Sequence, residues 1–550
     1  MTVEETWTRA DADAFDVPVA ARELVSGLLD EPWGQVSPSV YETGRLVTLA
    51  PWLDGQAYRL EWLVAMQRAD GRWGARHNGY ALVPTLSATE AIVGALRSWG
   101  RRDAAGVDRA KLIKAADQGL HVLFRWLHGN DGELQLPDMP AIELIVPSLI
   151  ALINEHVESL RNELVPGLDS WRGTEAFRPP AGLDDGVLAT IRSLLGPGAV
   201  VPEKLLHALE VAGDAAVGIP TVRPESTGTV GASPAATAAW LGHRAPPDTG
   251  DPARRYLKTV VERNDGLAPC GIPITIFERA WVLSWLLRAG IDVAVPPVLA
   301  VSLASAIGPT GTSAAAGLPA DADTTAGALY ALSLLGDPRA PDPLWAYEMD
   351  THFCTWQGED GLSATTNAHV LEAFGHYLET GSASTGLRSR YASTCDKVVS
   401  LLCAMQETDG SWFDRWHSSP YYATACAALA LDRFGGAGAA PAVRKAVRWV
   451  LDTQRADGSW GHWSATAEET AYAIQILLLT RRDGQGEARE TAVALGRDHL
   501  LRSVVRPSGE RAHDPPLWHD KDLYRPAAIV RAAVLAALHL TQRIPSVSMR

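Results

Sequence analysis

Three short stretches repeat one detailed pattern: QRADGRWG (67–74), QETDGSWF (406–413) and QRADGSWG (454–461). Each carries a glutamine, an Asp-Gly pair, and a tryptophan two residues after the glycine. Asp-Gly makes a tight turn, and a Gln amide can satisfy free backbone groups at a neighbouring helix end. The Trp can then stack over that amide. After a polar spacer each copy leads into an Ala/Leu run at helical spacing, as in SATEAIVGALRSW, YATACAALALDRF and ETAYAIQILLLTRR. Helical hairpins closed this way stack around a barrel, so the repeats read as architectural staples. Alternating strand patterns are scarce. The spacing predicts an all-α chain with Pro/Gly-rich breaks at 166–183, 244–253, 308–320 and 435–441.

At 550 residues the chain exceeds one compact core, which implies two domains. A hydrophobic share of 47% and a charged share of 21% fit a soluble globular protein. A net charge of −15 argues against nucleic acid as partner while leaving room for a local basic pocket. Five scattered cysteines form no C-x-x-C pair, which points to reduced thiols in a cytoplasm and away from a disulfide framework or zinc. The N-terminus shows no signal peptide, and no apolar run approaches the roughly 20 residues that span a bilayer. The 19 Trp outnumber either the 12 Tyr or the 8 Phe. They serve either interior packing or a cavity lined with π-faces.

GLPADADTTAGALYAL (317–332) sets Asp321 and Asp323 at the head of an apolar helical run. Two readings are open. The pair can cap the helix, whose N-terminus favours ionised carboxylates. Alternatively, two neighbouring carboxyls keep one proton between them, because both cannot easily ionise. A neutral Asp in a dry pocket is the acid that protonating an alkene demands.

The repeats match the QW motifs of the terpene cyclase superfamily, which includes squalene–hopene cyclases and class II diterpene cyclases. SPSVYETGRLV (37–47), LPDMPAIELIVPSL (136–149), LHALE (206–210), GASPAATAAWL (231–241), IFERAWVL (276–283), NAHVLEAF (367–374) and LWHDKDLYRP (517–526) follow in that family's order, so the resemblance spans nearly the whole chain. It implies two α-barrel domains: an N-terminal piece of the β domain in 1–30, an inserted γ domain in 31–265, and the rest of β in 266–550.

The family's acid motif is D-x-D-D, whose middle Asp donates the proton; by resemblance that is Asp323. Thr324 stands where the motif has its last Asp, a change that tunes acidity or the substrate pocket. His369 matches the histidine that hydrogen-bonds the acid. No D-D-x-x-D metal cluster is present, since GLDDGVL (182–188) lacks the third Asp. Cyclisation should therefore start by protonation and retain the diphosphate. Glu210 and Asp214 resemble the acidic Mg²⁺ site of class II diphosphate cyclases. Lys521 matches a family lysine near the diphosphate, and Arg525, one helical turn on, can join it on phosphate oxygens. Arg244 and Arg255 are further basic candidates. For the substrate cavity the aromatic candidates are Trp345, Phe353, Trp356, Trp412 and Tyr421. The final base is not identifiable from the residues.

The D-x-D-T-T variant resembles bacterial drimenyl diphosphate synthases, which implies cyclisation of farnesyl diphosphate to a bicyclic drimane diphosphate. The alternative is a diterpene cyclase making a labdane or copalyl-type diphosphate from geranylgeranyl diphosphate. Squalene is a poorer candidate, because it needs no diphosphate ligands. The cysteine contexts give no zinc prenyltransferase. A glycosidase would use two opposed carboxylates without Mg²⁺.

Overall fold

The computed structural model describes residues 15–99, 106–128, 134–183, 185–195, 198, 200–243, 250–481, 486–505 and 514–542. Arg244 lies outside them. The described chain is helical, as the spacing predicts, with one two-stranded hairpin, Trp518–His519 against Leu523–Tyr524.

Six helices close into a ring: Thr275–Arg288, Ala322–Leu334, Ala364–Glu379, Pro420–Phe434, Ala467–Leu479 and Ala527–Thr541, the last returning to the first. These sequences are apolar or small on almost every side, which suits helices buried all round. In Ala322–Leu334 every residue from Thr324 to Ser333 is buried. Outside the ring pack Val17–Asp30, Pro297–Ala306, Thr385–Ala404, Gly436–Asp452 and Gly486–Val505. These outer helices need only one apolar stripe. In Gly436–Asp452 it is Ala439, Ala442, Val443, Ala446, Val447 and Val450.

A second ring forms from Val40–Leu49, Asn78–Arg97, Ile142–Ser159, the 3₁₀ segment Leu209–Ala216 and Pro234–Leu241. The apolar cores are separate. One draws on residues 17–36 and 274–540, the others on 40–272. In sequence, the second ring thus interrupts the first. Its helix Asn78–Arg97 contains a stretch, Gly79–Arg97, that is long and apolar enough by composition to cross a membrane. That departs from the sequence expectation, yet 83% of the stretch is buried inside the protein, as in a core helix.

All three Gln/Trp repeats have the same geometry. Gln67, Gln406 and Gln454 donate to their own turn at Gly71, Gly410 and Gly458 (3.1, 2.9 and 2.9 Å) and to Ala115, Ala442 and Ala492 (3.0, 2.8 and 2.8 Å). The second acceptor lies in the second turn of a following helix (Arg109–His128, Gly436–Asp452 and Gly486–Val505 respectively), not at a helix end as the sequence implied. The Trp73, Trp412 and Trp460 indoles reach back to the carbonyls of Leu63, Leu402 and Val450 (2.6, 2.8 and 2.7 Å). At Gly410 (φ +104°) a side chain would meet the Lys445 carbonyl at 2.6 Å, so the turn requires glycine.

Candidate active site

Asp321 is the N-cap of Ala322–Leu334, its Oδ1 accepting the Thr324 N–H at 2.6 Å. The capping reading is therefore correct for Asp321, and Thr324, itself buried, is its capping partner. Burial pushes the Asp321 carboxyl up to about 7, opposed by the Thr324 N–H and assisted by the charge of Asp323. Asp323, in the first turn, is turned differently. Its Oδ1 bonds His369 Nδ1 at 2.8 Å, and 17% of its side chain stays exposed against 8% for the histidine. No other side-chain hydrogen bond reaches Asp323 among the described residues. Burial works against the His369 charge, but Asp323 and the Cys426 thiol outweigh it and hold the imidazole well above its ordinary range.

An aromatic wall starts at this pair. The Trp281 ring meets His369 edge-on at 4.9 Å and Phe277 at 4.5 Å, and its indole donates to the Tyr422 hydroxyl at 2.7 Å. Phe277 and Tyr422 both contact Trp518, at 5.7 and 4.6 Å. The sequence reading missed these four residues. A signal existed, since Trp281 and Trp518 sit within IFERAWVL and LWHDKDLYRP, but nothing local said that their rings point inward.

Most of the aromatics chosen from sequence lie elsewhere. Trp345 stacks on Tyr391 (5.3 Å) and Phe353 lies under Lys397 (4.9 Å), both on the outer helix Thr385–Ala404. Tyr421 packs on the outer Trp449 at 4.6 Å, and Trp412 is a staple indole. Inner-ring and loop residues that alternate toward outer helices look the same in sequence as those facing inward. Trp356 stands where the rings meet, edge-on to Trp416 at 5.2 Å, with Lys204 of the second ring 4.3 Å from its centroid.

The hairpin of LWHDKDLYRP joins the two rings through three consecutive charges. Asp520 accepts from His207 at 2.8 Å and Asp522 from Ser39 at 3.0 Å. Between them Lys521 donates to Glu210 (2.9 Å), Ser233 (2.7 Å) and the His207 carbonyl (3.0 Å), and pairs with Glu42. Its side chain is fully buried and its three N–H donors are engaged, so Lys521 holds protein groups and not, as arranged, a phosphate. Burial opposes the lysine charge, but Glu210, Glu42 and Asp520 raise its pKa. Arg525 is not its neighbour. The register Trp518↔Tyr524 makes this segment a hairpin where the sequence reading assumed helical spacing. The Arg525 backbone pairs with Ser37, and its charge acts on Glu468 and Asp514. Arg255 is exposed.

Glu210 and Asp214 do not converge. Gly213 between them breaks the helix (φ 60°, ψ −135°), leaving Asp214 exposed and Glu210 buried. Among the described residues no group of three or more His, Cys, Asp or Glu is placed to hold a metal ion. Of these two residues, Glu210 has the donor chemistry that a magnesium ion would need. Its Oε1 accepts from Tyr41 (2.7 Å) and Lys521, while its Oε2 is buried without a hydrogen-bond partner. One carboxylate oxygen suffices for a cation bound mainly by substrate phosphates and water.

The model of the squalene-hopene cyclase C-terminal domain matches residues 360–493. A copalyl diphosphate synthase of Streptomyces cyslabdanicus is 42% identical over 95% of both chains. The chain is a class II terpene cyclase. A labda-7,13-dienyl diphosphate synthase of Streptomyces clavuligerus is 37% identical to the cyclase, covering 96% of it and 94% of the relative. The solved ent-copalyl diphosphate synthase from Streptomyces platensis superposes with a TM-score of 0.87 at 42% identity, covering 96% of the cyclase and 99% of that chain. These relatives overturn the sesquiterpene expectation, because they are named for copalyl and labdadienyl diphosphates and not for drimenyl diphosphate. The acid motif misleads here for a physical reason: it encodes protonation, whereas pocket depth sets substrate length.

Proposed function

We propose that this cyclase converts geranylgeranyl diphosphate into a bicyclic copalyl-type diphosphate, with the diphosphate retained. The reading is carried by the Asp323 carboxyl, held by His369 beside an aromatic wall, in a chain so similar to copalyl diphosphate synthases. Asp323 delivers a proton from the oxygen that His369 does not hold to the terminal alkene carbon. The carboxylate left behind pairs with the imidazolium. Asp321, with its proton retained to about pH 7, is the adjacent group able to restore one. Two carbon–carbon bonds then form, the aromatic faces stabilise the moving cation, and loss of a proton ends the cascade with no net change in atoms. Water must stay out until then. Glu210 would hold a magnesium ion, which neutralises diphosphate charge when bound.

The test is incubation with geranylgeranyl or farnesyl diphosphate, with Mg²⁺ or with EDTA, followed by phosphatase release and GC–MS. The expected product is a bicyclic diterpene alcohol from the longer substrate only, lost with EDTA and absent from Asp323→Asn. A bicyclic sesquiterpene alcohol with the longer substrate untouched would overturn the substrate. An active Asp323→Asn would overturn the acid.

A further inference from the structure

At the far end of the aromatic wall stands a carboxylate that the reaction as derived does not use. Glu468, the second residue of the ring helix Ala467–Leu479, is fully buried. Its Oε1 gathers three donors: the Trp518 indole N–H at 2.7 Å, the Tyr472 hydroxyl at 3.0 Å and His417 Nε2 at 3.3 Å. Oε2 is buried with no hydrogen-bond partner. The rings of these donors interlock with the wall, Trp518 on Tyr422 at 4.6 Å and Tyr472 on Tyr422 at 5.4 Å. Arg525, the nearby cation, divides its influence between Glu468 and Asp514.

We propose that Glu468 is a positioning residue whose buried negative charge, relayed through the Trp518 and Tyr472 rings, stabilises the carbocation as it migrates away from Asp323. The inference rests on the protonation reading given above. A charge-assisted hydrogen bond to an indole N–H or phenol O–H pushes electron density into the ring. A richer π-face attracts a cation more strongly, and a water-excluded interior leaves that attraction unscreened. Burial of both oxygens behind the rings separates this role from that of a base. An open carboxylate would capture the cation or take its proton, ending the cascade early, whereas Glu468 acts only through its donors. Burial works against its ionisation, but the hydrogen bonds from His417 and Trp518 prevail and keep it below the usual glutamate range.

Two non-reacting ligands test this without turnover: a prenyl diphosphate analogue with a tertiary ammonium in place of the cationic carbon, and its neutral carbon isostere. Their dissociation constants are measured with Mg²⁺ on wild type, Glu468→Gln and Tyr472→Phe. Wild type should prefer the ammonium analogue by about tenfold or more. Glu468→Gln, which keeps an acceptor oxygen, should lose most of that preference while binding the neutral isostere unchanged. Tyr472→Phe, which keeps the charge and the Trp518 relay but cuts the relay through the phenol, should lose only part of the preference, by about threefold. Three outcomes overturn the proposal: no preference in wild type, a preference undiminished in Glu468→Gln, or equal loss of both ligands in that variant. Because no proton transfer occurs, failure here is distinct from failure of Asp323 as the acid, which the Asp323→Asn turnover assay reads.

Discussion

Lys521 and Glu210 lie 311 residues apart in sequence and meet at 2.9 Å, fully buried, where the two helical rings join. Glu42 shares the same ammonium group. One lysine thus neutralises two interior carboxylates, both from the second ring, while itself belonging to the first.

Lys521→Met leaves both carboxylates buried without a counter-ion. The expected loss is about 3–5 kcal/mol of stability at pH 7.5, read as the midpoint shift in urea. The loss should shrink at acid pH, where Glu42 takes up a proton; burial raises its pKa even against the pull of Lys521. A midpoint equal to wild type would mean that Lys521 normally serves a ligand and not this junction.

Whenever Asp323 is ionised, His369 should be an imidazolium at neutral pH, since the Asp323 charge, helped by Cys426, raises it against burial. In Asp323→Asn the largest raising cause is gone and only Cys426 still opposes burial, so the His369 pKa should fall and the ring should shift toward the neutral form. NMR of labelled histidine at pH 7.5 separates the two states. His369→Gln should lower kcat by about 100-fold or more with KM within about threefold, because the residue holds the acid and does not bind the diphosphate.

Much of this was legible in the sequence because it is local. The Gln/Trp repeats announced stapled helical hairpins, and the D-A-D run announced the cap, which is Asp321, next to Asp323, the residue proposed as the acid. The facing of single side chains was not legible. Lys521 and Arg525 looked like one helical turn, and a two-residue hairpin strand sends them to different partners. Glu210 and Asp214 had the spacing of a shared helix face until Gly213 broke it. Glu468 carried no signal at all. Its role depends on Trp518, fifty residues away, lying over it.

The staples should govern stability and not chemistry. Gln454→Ala strips one donor from the Gly458 and Ala492 carbonyls. A loss of about 1–3 kcal/mol is expected, seen as a lowered thermal midpoint. The kcat measured well below that midpoint should equal wild type, because the staple faces an outer helix.

Burial of Asp321 should make stability depend on pH. Its folded pKa of about 7 lies above the ordinary 3.8, so the folded chain binds this proton more tightly than the unfolded chain. The associated stabilisation is complete below pH ~4 and is lost as pH rises through about 7. Asn keeps an oxygen to accept the Thr324 N–H and never ionises, so the cap survives the substitution. Asp321→Asn should therefore match wild type near pH 4 and exceed it by about 2–4 kcal/mol at pH 8. Urea melts of both proteins at the two pH values give the comparison directly. If wild type is as stable as the variant at pH 8, Asp321 ionises freely in the fold and cannot be the local proton reserve for Asp323.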